Sequence, residues 1–270
     1  MTGPSRRLSR SGAVLAATFI LVSGSGMTQA ANGTLPAASG DLVLSFDGAL
    51  SPRPGQAGWL DNSGTGAVTT SVKTASGGSV TLATGRPGTA AKFPAFAPTP
   101  TPAAALVVRP AAGGDALSPG KLPIRWGADV YLSKASQKSA TDNGANVVQR
   151  GLYGDPAQVK LQLDADQPSC RVQGTAGSAT VVSTVKLRPT VWYRIHCQLR
   201  AGELTLQVED LSASATPTVA RDKAAVGPIS FSSSVPVTVG AKCDAAGQIL
   251  TSGTDQFNGT LDNVFWDVGS

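Results

Sequence analysis

Apolar and polar residues alternate in short runs along most of this chain. The longest run is Ile124, Trp126, Ala128, Val130 and Leu132, apolar at every second position, the period of a half-buried strand. Shorter alternations predict further strands at Leu42–Phe46, Thr89–Phe93, Ala105–Val108, Asn146–Arg150, Val159–Leu163, Arg171–Gln173 and Thr180–Leu187. Others follow at Trp192–Leu199, Leu204–Val208, Ile229–Phe231, Val235–Val239 and Gly259–Val268. Turn chemistry separates them, as in Asp142-Asn143-Gly144, Gly151–Pro156, Ala201-Gly202 and Asn258-Gly259. Prolines between 94 and 102 block central pairing and predict a loop. No long stretch carries a helical stripe, and no repeat is visible. About a dozen short strands are too many for one open sheet. The expected fold is all-β, a two-sheet antiparallel β-sandwich of jelly-roll type.

Composition agrees. Val, Thr, Ser and Gly are abundant, and Glu203 and Glu209 are the only glutamates among 270 residues. The N-terminus reads as a secretory signal over residues 1–30. Arg6, Arg7 and Arg10 form its basic region, Gly12–Val22 is apolar, and Thr28-Gln29-Ala30 offers a cleavage site after Ala30. The Arg6-Arg7 pair is compatible with twin-arginine export, but Leu8 and Ser9 favour the general route. Residues 31–40 form a short linker and residues 41–270 one domain. The expectation is therefore a secreted, extracellular protein with no membrane span in the mature chain. Removing the signal leaves 19 basic against 17 acidic residues, and no basic stripe interleaved with aromatics. No nucleic-acid partner is expected.

Cys170, Cys197 and Cys243 all fall after the signal. Cys170 and Cys197 both sit at inward positions of alternating segments, read as neighbouring strands, and are the expected disulfide. A Cys197–Cys243 bridge, or none, are the alternatives.

Several segments together resemble the laminin-G-like jelly-roll domains of the concanavalin A-like lectin/glucanase superfamily, in a secreted bacterial form. Leu42–Gly48 resembles their first strand and Trp59–Gly64 their aspartate–serine–glycine turn. Gly85–Gly88 leading to Ala90–Phe93 is similar to their Gly-x-x-Gly strand, and Val147–Gly151 to their central strand. Trp192–Ile195, Gly240 and Phe257–Val264 follow in the family's order. The likeness covers roughly residues 41–268. The Pro-rich stretch 94–102 and the Ser- and Ala-rich stretch 212–226 depart from it. The resemblance implies a jelly roll with a structural Ca²⁺ near Asp47 and Asp262, whose strands would be neighbours. Asp61 and Asn62, in a glycine-rich turn, could add oxygens.

Chemistry narrows the function. Retaining glycosidases need two carboxyls about 5–5.5 Å apart. Glu203 and Glu209 stand at opposite ends of one predicted strand, about 20 Å apart; an all-aspartate site stays open, but the two aspartates at i, i+2 spacing, Asp164 and Asp166, lie in a turn before Pro168. His196 is the only histidine. There is no nucleophile elbow, and no Cys/His cluster supports zinc. The chain is expected to be no enzyme but a recognition domain, a monomer, for an extracellular glycan or glycoprotein. Sugar binding calls for an aromatic face beside hydrogen-bonding side chains. Strand parity gives Tyr131, Gln149, Arg150, Tyr153, Trp192, Arg194 and His196 as candidates, forming one groove if their strands share a sheet. The competing function is an extracellular structural or protein-interaction module; an atypical polysaccharide lyase, with His196 as base, or glycoside hydrolase is a third reading.

Overall fold

The computed structural model describes residues 42–47, 68–98, 101–110, 114–135 and 144–269. The signal segment and Asp61 lie outside them. Fifteen strands make two antiparallel sheets, and no helix occurs among the described residues. One sheet, called A, pairs β13 (Thr218–Lys223), β12 (Glu203–Asp210), β11 (Trp192–Arg200), β6 (Ile124–Tyr131), β15 (Thr260–Val268), β4 (Thr89–Lys92) and β3 (Thr81–Thr84) in that order. β1 (Leu42–Leu44) also pairs with β15. Sheet B runs β10 (Gly177–Val182), β9 (Gln167–Gly174), β8 (Gln158–Asp164), β7 (Gly144–Arg150), β14 (Val237–Val239), β5 (Ala103–Pro110) and β2 (Val68–Ala75). The all-β sandwich expected from the alternation is the observed fold.

The inward residues of both sheets meet in one apolar core. Sheet A supplies Trp126, Val130, Ile195, Leu206 and Trp266, and sheet B supplies Leu106, Val148, Leu161 and Val172. Phe93 packs edge-to-face on Phe257 at 5.9 Å. Gly240 has φ +90 and lies so close to the Phe93 ring that a side chain there would collide with it.

Five features depart from the sequence expectation. The strands β2, β3 and β13 were not predicted; all three close sheet edges, where mixed burial erases the alternation. Ile229–Phe231 is not a strand, only an isolated bridge from Ile229 to Gly120. The segment begun at Thr180 ends at Val182. The disulfide does join Cys170 to Cys197, but these are not neighbouring strands: β9 lies in sheet B and β11 in sheet A, so the bond crosses the core. Finally, β7 lies in sheet B whereas β6 and β11 are adjacent in sheet A. The seven glycan candidates therefore do not share one groove.

Arg150 is the candidate that does not face outward. A bulge between Asn146 and Val148 shifts the register of β7 against β8, Val147 and Val148 are both buried, and Gln149 faces out while its neighbour Arg150 faces in. Arg150 points inward and is fully buried. Its guanidinium grips both carboxylate oxygens of Asp115, at 2.9 Å on one arm. It donates to the Val235 carbonyl and stacks on Phe231. Arg150 is a structural residue of the interior.

Candidate functional site

The outer face of sheet B carries a preassembled aromatic and amide platform. Tyr153 is 76% exposed, the most open large apolar side chain among the described residues. It sits in the Gly151–Ala157 loop between β7 and β8. Gly151 has φ +76, and a side chain there would strike the Ala157 carbonyl. The loop is closed by hydrogen bonds from the Leu152 amide to the Asp155 carboxylate at 2.7 Å and from the Asp155 amide to the Leu152 carbonyl at 3.1 Å. Gln149 and Gln158 both donate to the Gly151 carbonyl, at 2.6 and 3.3 Å. Gln173 donates to the Asp155 carbonyl at 2.7 Å.

The guanidinium of Arg171 lies 4.6 Å from the Tyr153 ring centroid. It covers one face of the ring, a cation–π contact, and leaves the other toward solvent. Arg171 is fixed by Gln158 Oε1 at 2.9 Å and Gln173 Oε1 at 2.8 Å. Neutral amides thus hold the guanidinium in place. Beside it in register are Lys160, Gln149 and Thr238. The sequence named Gln149 and Tyr153 here but missed Arg171, Gln158, Lys160 and Gln173. The signal was present: Cys170 and Val172 point inward, so Arg171 between them points out.

Farther along this face, the chain after β14 folds back over the sheet. Ala241, Cys243 and Ile249 cover Ala105 and Val107 of β5 in a small apolar cluster. Cys243 is a buried free thiol whose pKa burial pushes up to about 12. Lys160 and Lys242 both pair with Asp255, at 2.8 and 3.2 Å. Burial lowers the Lys160 ammonium below its ordinary range, while the two lysines hold the Asp255 carboxyl below its own against the effect of burial.

Tyr131, Trp192, Arg194 and His196 come together on the outer face of sheet A. Trp192 and Tyr131 are register partners with rings 5.4 Å apart, both half-buried. Arg194 makes a two-armed pair with Asp129 at 2.7 and 2.8 Å, and Asn263 donates to the same carboxylate at 3.0 Å. Across the β6–β15 ladder Asp129 faces Asp262. Both are 1% exposed. Burial, then Asp129 and Asp47, push the Asp262 carboxyl up to about 7, against backbone amides of Arg86 and Asn263 that favour its charge. The within-strand search for paired carboxylates could not find two that meet across strands.

His196 was placed on the outer face, and it is there, yet only 7% exposed. Its ring packs on Phe265 at 4.7 Å, edge to face, over Gly127, where a Cβ would come within 2.7 Å of Phe265. Burial, and then Arg194 and Arg125, depress its pKa to about 3. The folded protein thus keeps His196 neutral while the unfolded chain protonates near pH 6.5. Stability is full above pH 6.5 and is lost as pH falls toward 3, because the unfolded state then binds the extra proton. Between pH 7 and 5 wild type loses about 2 kcal/mol more than His196→Gln, read from urea midpoints at both pH values. Equal losses would show that His196 is not held neutral.

Asp47 and Asp262 converge on the loop before β4. The Thr89 amide donates to Asp47 at 2.7 Å and the Arg86 amide to Asp262 at 3.2 Å. Gly85 and Gly88 make room: a Cβ at Gly85 would lie 2.8 Å from Asp262 Oδ2, and one at Gly88 would collide with Asp47. The two carboxylates thus face one loop, each held by one of its backbone amides. Among the described residues no group of three or more His, Cys, Asp or Glu could hold a metal.

No family model matches the chain, and no curated protein matches it. Solved structures do. The binding domain of Paraclostridial mosquitocidal protein 1 aligns with a TM-score of 0.52 at 11% identity, over 84% of this chain and 48% of that one. The binding domain of botulinum neurotoxin serotype G aligns with a TM-score of 0.50 at 10% identity, over 84% and 47%. The LG1–3 region of the laminin α2 chain aligns with a TM-score of 0.45 at 7% identity, over 57% and 28%. This chain thus corresponds to less than half of each of those chains. At such identities the likeness is one of fold. No helix among the described residues is long and apolar enough to cross a membrane.

Proposed function

We propose that the protein is a secreted recognition module that binds a glycan, free or carried on a glycoprotein, on the Tyr153–Arg171 platform of sheet B. The observation that carries this reading is an aromatic ring that is 76% exposed yet held in place by a guanidinium on one face. An exposed aromatic is ordinarily mobile. One already oriented, with Arg171 over one face, loses little freedom when a sugar ring stacks on the other. The disulfide across the core supports an oxidising, extracellular setting. On a glycan array Tyr153→Ala loses about tenfold or more in affinity for whichever glycan wild type retains. Its stability stays within about 0.5 kcal/mol of wild type. An array with no glycan above background, or a Tyr153→Ala protein that binds as well as wild type, would overturn the assignment. Loss with Trp192→Ala instead would move the site to the half-buried Trp192–Tyr131 pair of sheet A.

The Asp47–Asp262 cradle is the basis for a second proposal, a structural calcium ion. These two residues would hold it. Calcium at millimolar excess is then expected to raise the melting temperature by several degrees over EDTA, and Asp262→Asn to abolish that rise. An identical melt in calcium and EDTA would remove calcium from the account.

A further inference from the structure

At one end of the sandwich the two sheets part and leave a cleft of about 140 Å³. Phe93, Phe96 and Leu132 line it from the sheet A side, and Ala145 and Leu163 from the sheet B side. Phe93, Leu132, Ala145 and Leu163 are themselves buried core residues, so the cleft is an opening into the core. Its floor is apolar, and a cavity of roughly 150 Å³ with such walls accepts one benzene ring.

The rim is different. Lys92 and Lys134 border it, with Asp166 and Asn258. Both lysines are exposed, and neither is within ion-pair distance of a carboxylate among the described residues. Asn258 spends its amide on the Pro94 carbonyl at 2.7 Å, which holds the Phe93–Phe96 wall in position. The Asp166 backbone carbonyl accepts the Leu187 amide at 2.9 Å, which ties its turn to the following loop. Two lysine charges against one carboxylate leave the rim positive.

We propose that this cleft binds small amphipathic carboxylates, with an aromatic ring or a short branched alkyl group between Phe93, Leu132 and Leu163 and the carboxylate at Lys92 and Lys134. A ring-sized apolar space excludes a sugar ring with its shell of hydroxyls, since nothing on the floor would pair them. The lysines favour an anion over a neutral or cationic ligand of the same shape, and their exposure makes each contribution modest. The site is distinct from the Tyr153 platform, which lies on the outer face of sheet B, and it stands whether or not a glycan binds there.

The test is calorimetric titration of the full chain with benzoate, benzyl alcohol and benzylamine. Benzoate is expected to bind most tightly and benzylamine least. Lys92→Gln and Lys134→Gln each weaken benzoate about threefold and leave benzyl alcohol unchanged. Ala145→Leu fills the floor and abolishes binding of all three probes. Because that change adds volume to the core, Ala95→Phe, at an exposed position on the rim, provides a second block that leaves the fold intact by its melting temperature. The proposal is overturned if no probe binds, if benzoate and benzyl alcohol bind equally, or if benzoate binding survives Ala95→Phe.

Discussion

Asp115→Ala lowers the unfolding free energy by about 3–5 kcal/mol, the cost of leaving a buried charge without its partner. Arg150 has no exposed side-chain surface, whereas Asp115 is 15% exposed. Truncating the aspartate removes two charge-assisted hydrogen bonds while the guanidinium stays enclosed by Phe231 and the carbonyls of Ser232 and Val235. Those carbonyls satisfy part of the donor fork but carry no compensating charge. Arg150→Lys is also destabilising, because an ammonium cannot grip both oxygens in the same plane. Guanidinium-chloride unfolding of both variants measures the effect. A loss of less than 1 kcal/mol for Asp115→Ala would mean that water reaches Arg150.

Reduction of Cys170–Cys197 has the second large effect. The bond closes a segment 27 residues long in sequence separation, worth about 3–4 kcal/mol by the chain-entropy relation. Cys170 and Cys197 are both fully buried, so the paired Cys170→Ala, Cys197→Ala variant also leaves a small cavity between the sheets. The double variant is expected to melt well below wild type, while Cys243→Ala, outside the bond and in a separate small cluster, falls by far less. If the double variant and Cys243→Ala lose stability equally, the bond contributes nothing beyond packing.

The central strands were legible because one face of each meets the core and the other meets polar surroundings. The alternation from Ile124 to Leu132 predicted β6, and the residues that point inward do so. Edge strands escaped because β13 is exposed along most of its length and β2 is half-buried at six of its eight positions, so neither leaves a periodic trace. The Cys170–Cys197 pairing followed from inward parity alone. Which sheet each cysteine occupies depends on long-range order, and adjacency in sequence carries no record of it. Arg150 was misplaced because it was named together with Gln149, although neighbouring strand residues point to opposite faces, and Gln149 is the one that points out. The Tyr153 half of the platform was visible as a lone aromatic in a turn, but Arg171 reaches it from β9, 18 residues on, through pairing that only the folded sheet reveals.

The bond between the layers has a mechanical side. Arg171, which backs the exposed ring, follows Cys170 directly, and His196 precedes Cys197. A tug on anything held at the platform would therefore travel one residue along β9, through a covalent link, and into β11 on the far side of the molecule. Two sheets that could otherwise slide apart share that load in a way that apolar packing alone does not provide.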